Sequence, residues 1–179
     1  KEICTRWYGE VDEFHEGFAK VYDSSKGWNF INREGKEICD HWYYDVCDFS
    51  EGFAKVEDGA NGYNLINHNG NEICDRWYDF VEFFCGGFAR VYDRTKGYNF
   101  INYDGKVVFG RWYDNAYRFS EGFADVKYKD KYYLLRKDGV LCDCKTKKPI
   151  EDGPTQMAES LIDRLVRDVL NENRKQRYL

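Results

Sequence analysis

The sequence predicts a mainly β tandem-repeat protein: antiparallel hairpin units in an open, twisted superhelix, followed by one C-terminal amphipathic α-helix. Three observations predict it. Motifs recur along the chain at a fixed step. Tyr, Phe and Trp, which favour strands, make up 18% of the residues. Asn-Gly and Asp-Gly pairs punctuate short apolar runs, and such pairs supply the positive φ angles of tight hairpin turns. A closed propeller-like or barrel-like ring is the alternative, since four units of this size could close.

The repeat emerges on comparing the chain with itself. Glu16-Gly17-Phe18-Ala19 returns as Glu51-Gly52-Phe53-Ala54, Gly86-Gly87-Phe88-Ala89 and Glu121-Gly122-Phe123-Ala124, a constant step of 35 residues (16, 51, 86, 121). Trp7-Tyr8 returns with that step at Trp42, Trp77 and Trp112. Gly27-Trp28-Asn29-Phe30-Ile31-Asn32 returns from Gly62 and from Gly97; the fourth version, Lys131 to Arg136, is degraded and arrives one residue early. Within a unit, Phe18 to Tyr22, Trp28 to Ile31 and Glu37 to Cys39 read as strands. The last two are joined by Arg33-Glu34-Gly35-Lys36, whose counterparts are His68-Asn69-Gly70-Asn71, Tyr103-Asp104-Gly105-Lys106 and Lys137-Asp138-Gly139-Val140. From Trp42 to Gly52 no clean period runs. Trp42, Val46 and Phe49 are expected to pack under the sheet from an irregular connection with a helical turn.

The pattern aromatic-x-Phe-Ile-Asn, a Gly-Lys turn, then Tyr-Asp-x-Val-x-x-Phe-Ser-Glu-Gly-Phe-Ala-x-Val resembles the bacterial WG repeat. The best copy runs from Trp28 through Val56, and the resemblance covers about residues 1–145. It implies a β-repeat array without catalytic activity. The Trp-Gly pair that names the family stands here as Trp28-Asn29, Tyr63-Asn64, Tyr98-Asn99 and Tyr132-Tyr133. Asn is the commonest non-glycine residue at positive φ, so the family's backbone shape is expected in three copies. Tyr133 fits that account poorly, which makes the fourth copy a distorted or terminal one.

A residue present in every copy is most simply explained by the fold, because each copy solves the same packing problem. On that ground Trp7, Trp42, Trp77 and Trp112 are core, as are Phe18, Phe53, Phe88 and Phe123, and Phe14, Phe49, Phe84 and Phe119. Asn32, Asn67 and Asn102 end a strand where an Asn side chain bonds nearby backbone. On the strand Phe18 to Tyr22, residues 18, 20 and 22 share one side. The charged slot there holds Lys20, Lys55, Arg90 and then Asp125. Lys20, Lys55 and Arg90, beside Tyr22 and Tyr92, are the candidate ligand-binding residues: a basic ladder along the array, suited to an acidic peptide or an anionic glycan, against the plainer reading of an ordinary solvated face.

Seven cysteines preclude complete pairing within the chain. Cys4, Cys39 and Cys74 share a repeat position with Phe109, so the slot takes an apolar side chain, and these thiols read as small buried hydrophobes. Free thiols favour a reducing, cytoplasmic setting. Cys142-Asp143-Cys144 lacks the second ligand pair of a zinc site, and no metal or other cofactor is expected. His15, His41 and His68 do not repeat and read as surface substitutions. None of G-x-S-x-G, H-E-x-x-H, the phosphate-binding G-x-x-x-x-G-K-[ST] or the dinucleotide-binding G-x-G-x-x-G occurs, and no catalytic residue is nominated. The net charge of −5 disfavours a nucleic-acid partner, and no apolar run is long enough for a membrane span. No signal peptide is visible, and the chain opens in mid-motif at Lys1, which reads as a piece of a longer bacterial protein.

The repeat array is assigned to residues 1–145, a linker to 146–154 around Pro149 and Pro154, and an amphipathic helix to 155–178. Met157, Leu161, Ile162, Leu165, Val166, Val169 and Leu170 trace one helical face. That stripe caps the last repeat, or docks a partner or a second copy through Leu161, Ile162, Leu165 and Val169. The function that follows is a non-catalytic scaffold binding a protein partner; the alternative is a glycan-binding module using exposed aromatic rings.

Overall fold

The computed structural model describes residues 6–150. The first unit comprises β1 (Glu10–Val11), β2 (Phe18–Asp23) and β3 (Gly27–Asn32). The second has β4 (Asp45–Val46), β5 (Phe53–Asp58) and β6 (Gly62–Asn67), and the third β7 (Phe80–Val81), β8 (Ala89–Asp93) and β9 (Gly97–Ile101). The fourth has β10 (Asn115–Ala116), β11 (Phe123–Tyr128), β12 (Lys131–Arg136) and β13 (Leu141–Cys142). Each unit is its own antiparallel sheet with strands in chain order. The described residues are therefore mainly β, without a helix and without a closed barrel.

The central hairpin of each unit is shaped by two residue types. Asp23 ends β2, and its carboxylate accepts the Ser25 N–H at 2.9 Å and the Ser25 hydroxyl at 2.6 Å; Asp93 accepts both groups of Thr95 likewise, and Asp58 accepts the Ala60 N–H. Gly27, Gly62 and Gly97 then restart the chain at φ 102°, 102° and 99°. These must be glycine for a second reason: a Cβ there would lie 2.3 Å from the carbonyl oxygen of Tyr43, Tyr78 or Tyr113. In the fourth unit the loop is the two left-handed residues Lys129 and Asp130 (φ 50° and 63°), which is why its second strand arrives one residue early. After β3, the Asn32 side chain accepts the N–H groups of Glu34 and Lys36, both at 3.0 Å, and closes the Gly35 turn.

The returning chain runs back along β3, bridging Ile31 to Glu37 and Trp28 to Tyr43. The two bridges are out of register, three residues apart on β3 but six on the returning chain. Asn29 fills the gap. Its amide donates to the Cys39 carbonyl at 2.9 Å, and its oxygen accepts the N–H groups of Phe30 at 2.7 Å and Cys39 at 3.3 Å. Asn64 makes the equivalent bonds to Cys74 and Leu65, and Asn99 donates to Phe109 and accepts from Phe100. All three asparagines are fully buried, and none has a positive φ. The expected left-handed backbone is thus corrected: these residues stand in extended strands, and their side chains replace ladder bonds that the bulge removes. Tyr133 cannot do this, and in the fourth unit β12 pairs with β13 without a gap, Leu134 opposite Cys142 and Leu135 opposite Leu141.

The core lies between consecutive sheets. Phe30 of the first unit joins Cys39, Tyr43, Val46, Phe49, Ala54, Val56 and Ile66; Leu65 and Phe100 play the same part at the next two junctions. On β2, Ala19 and Val21 face inward, leaving Phe18, Lys20 and Tyr22 on the other side. Phe18, Phe53 and Phe88 are half-buried and cross to the next unit, packing on Phe49, Phe84 and Phe119 at 4.8, 4.7 and 4.9 Å between ring centres. Cys39, Cys74 and Phe109 fill one buried slot.

Three further expectations change. The repeated tryptophans are not deep core: Trp42, Trp77 and Trp112 are half-buried and Trp7 is exposed, while the adjacent Tyr43, Tyr78 and Tyr113 are buried. The stretch from Trp42 to Gly52 has no helical turn; it supplies β4, with Val46 and Phe49 buried. Part of the assigned linker is structured, because Pro149 bridges to Cys142 and Ile150 donates to Leu141 around a turn closed by the Asp143 carboxylate. The helix assigned to 155–178, with Leu161, Ile162, Leu165 and Val169, lies outside the described residues, as does Cys4.

Candidate functional site: the cleft between the first and second units

The proposed basic ladder is engaged by the protein itself. Lys20 pairs with Asp12 at 3.0 Å and with Asp48 of the next unit at 3.2 Å. Arg90 pairs with Glu82 at 3.0 Å and donates to the Ala116 carbonyl. Lys55 sits among the rings of Tyr63, Phe80 and Phe83, 5.4 to 5.7 Å from each centre. Tyr22 leans on Trp28 and Tyr92 on Tyr98. These five residues form no single site. Lys20, Lys55 and Arg90 each reach the next unit and brace a junction between sheets, whereas Tyr22 and Tyr92 pack on the neighbouring strand of their own sheet.

Residues that differ between copies are where function separates from fold, and several of them converge beside the first junction. A cleft of about 410 Å³ opens there, lined by Tyr22, Lys26, His41, Trp42, Tyr44 and Asp58 among others. Two of these are unique to the second unit. Tyr44 stands where the other copies have Gly9, Asp79 and Asp114, and His41 where they have Arg6, Arg76 and Arg111. Tyr44 is 72% exposed, and its ring rests on Gly59, another position where the copies differ. The Lys26 ammonium lies 5.3 Å from the Trp42 ring centre, on a ring that the Arg6 guanidinium also approaches at 5.1 Å. The cleft therefore mixes one open aromatic ring with charged and hydroxyl-bearing groups.

His41 takes over a structural pairing. Arg6 pairs with Asp23 and Arg76 with Asp93; His41 stands 3.4 Å from Asp58, and Arg111 instead lies over the Tyr128 ring at 4.4 Å. The other two histidines also sit at the first junction. His15 lies 3.9 Å from Asp48, and His68 stacks on Phe18 and meets the Glu16 carboxylate at 3.2 Å. Glu16 also accepts the Gly52 N–H of the next unit, and that bond, ahead of the contact with His68, holds its carboxyl below the usual range. His68 further lines a second cleft, of about 350 Å³, with Phe18, Lys36 and Glu37. All three histidines are exposed, in keeping with their reading as surface substitutions, which did not anticipate these partners across the junction. The available signal was their clustering in the first two copies.

Burial pushes the Cys39 and Cys74 thiols up to about 12. Among the described residues, no group of three or more His, Cys, Asp or Glu side chains is placed to hold a metal ion, and no helix is long and apolar enough to cross a membrane.

Fold and cleft together define a β-repeat array that opens a cleft beside its first junction. Residues 28–61 and 100–132 match the WG containing repeat. No curated protein matches the chain. Among solved structures it is similar to the computationally designed Ika4 protein, with 9% identity and a TM-score of 0.43 over 76% of this chain and 98% of that one. It is also similar to the computationally designed Ika8 protein, with 9% identity and a TM-score of 0.41 over 74% of this chain and 48% of that one.

Proposed function

We propose that the chain is a non-catalytic binding module, part of a larger bacterial protein in a reducing compartment, that holds a protein partner in the cleft between its first and second units. The observation that carries this is the convergence of Tyr44 and His41, neither required by the repeat, on one cleft with Lys26 and Trp42. Interfaces concentrate energy in a few aromatic and cationic anchors surrounded by polar groups, and this mixture fits a peptide segment. The open Tyr44 ring favours a second reading, a glycan stacked on it, with protein hydroxyls and Lys26 meeting the sugar's polar edge.

The test compares the wild-type chain, a Lys26→Ala/Tyr44→Ala variant and a Lys96→Ala/Asp114→Ala variant at the equivalent place on the third junction. Each is checked for folding by circular dichroism, then used to capture protein from host lysate and to probe a glycan array. Capture of a protein by the wild type and the third-junction variant, with loss in the cleft variant, supports the reading. Equal capture by all three overturns it. Glycan binding lost only in the cleft variant transfers the site to the second reading.

A further inference from the structure

We infer that the array is open to a further repeat at its first unit and closed at its fourth: the face carrying Trp7 and Val11 docks another unit of the Gly-aromatic-Asn kind. The argument is independent of the ligand cleft.

The occupant is identified by what covers the equivalent face elsewhere. Val46, Val81 and Ala116 are 6%, 0% and 0% exposed, each packed under the preceding unit; Val11, at the same repeat position, is 55% exposed. Trp7 is 86% exposed, whereas Trp42 and Trp112 lie under the Lys26 and Lys96 ammoniums of the unit before. Among the described residues, the buried cluster on this face holds Ala19, Val21 and Ile31, whereas its counterpart between the first and second units adds Phe30 from the sheet before it, with Tyr43, Val46 and Phe49. Phe14 is half-buried although Phe49, Phe84 and Phe119 are buried. Every shortfall is of the surface that a preceding unit supplies at the three internal junctions. Lys1-Glu2-Ile3-Cys4 also repeats the sequence of Lys36 to Cys39, a stretch that begins on the preceding unit's last strand, Glu37 bridging to Ile31.

The opposite end excludes a second copy stacking head to tail. A following unit is received in a notch where Trp28, Tyr63 or Tyr98 exchanges N–H···O=C bonds of 2.8–3.0 Å with the incoming tyrosine, beside a glycine that leaves no room for a Cβ. In the fourth unit Lys131 occupies the glycine position, Tyr133 the asparagine position, and the chain turns away at Asp143. Lys147 and its turn lie over Phe123, the ring that would cross to the next unit. Solenoid arrays close themselves with such atypical end units.

The experiment adds one unit at either end. In the N-extended chain a copy of residues 41–75 replaces residues 1–5; in the C-extended chain a copy of residues 72–106 follows Val140. Oxidative footprinting reads Trp7, and thermal unfolding reads coupling between units. The N-extended chain is expected to protect Trp7 several-fold and to melt several degrees above the parent. Val11→Glu is expected to cancel that gain there while leaving the parent's midpoint within a degree or so. The C-extended chain is expected to melt with the parent until Lys131→Gly and Tyr133→Asn are introduced. Equal oxidation of Trp7 in the parent and in a folded N-extended chain overturns the open face. A gain in the unsubstituted C-extended chain matching that of the N-extended chain overturns the closed end.

Discussion

Single residues decide whether a unit closes. Asn64 satisfies three backbone groups, the N–H of Leu65 and the N–H and C=O of Cys74, all buried. Asn64→Ala strands them, and the expected loss is about 3 kcal/mol by urea unfolding, because an orphaned buried group costs far more than a bond contributes. A loss below 1 kcal/mol would sink the bridging role. The glycines separate strain from contact. Gly62→Ala places a methyl 2.3 Å from the Tyr78 oxygen at a left-handed φ, whereas Gly52→Ala meets nothing within 4 Å. The first should cost about 3 kcal/mol or more and the second about 1 kcal/mol, so similar losses would refute the close approach. Tyr78 carries a buried hydroxyl without a partner among the described residues. Tyr78→Phe should therefore be neutral or stabilising by up to about 1 kcal/mol; a clear loss of stability would mean that the hydroxyl is bonded.

At the scale of the element, the hairpins and the paired strands titrate at opposite ends of the pH range. Asp23 is held down to about 2, first by the Ser25 hydroxyl and then by the Ser25 N–H and Arg6. Asp58 and Asp79 are lowered too, by the Ala60 N–H and by Arg94 respectively. A depressed carboxyl contributes stability that is complete above its unfolded value and is lost as pH falls through the folded one. The unfolding midpoint should thus be flat from neutral pH to about 4 and then drop towards about 2; a flat profile throughout would contradict it. The tyrosines that bridge sheets behave inversely. Burial pushes Tyr78 and Tyr113 up to about 12, and pushes Tyr43 upward as well. Their stabilisation is complete below the ordinary tyrosine value and lost as pH rises through the folded one, so tyrosinate absorbance from these rings should appear together with unfolding.

At the scale of the whole molecule, stability resides in the junctions, since the three large buried clusters each draw on two units. The thiols report on this. Cys39 and Cys74 lie inside junctions, whereas Cys144 is exposed on the terminal turn. Alkylation of the native chain followed by mass spectrometry should label Cys144 first and leave Cys39 and Cys74 unmodified until the array unfolds. Early modification of Cys74 would show that a junction opens locally.

Sequence alone sets the repeat step, the glycine-centred hairpin turn of each unit, the inward side of Ala19 and Val21, and the apolar slot of Cys39 and Cys74. These follow from short-range rules: turn chemistry, period-two alternation, and the demand that every copy solve one packing problem. It also placed Tyr133 as the residue that breaks the pattern. What Asn29, Asn64 and Asn99 do emerges in three dimensions, because a side chain that fills a ladder gap is visible only once the returning strand is in place. The fold settled three further points. It exchanged tryptophan for the neighbouring tyrosine as deep core, since both lie beside one bulged edge where alternation fails. It showed the charges of Lys20 and Arg90 already paired, because their partners come in large part from the next unit. It brought Tyr44 and His41 together with Lys26, far apart in the chain, at a cleft that exists only where two sheets meet.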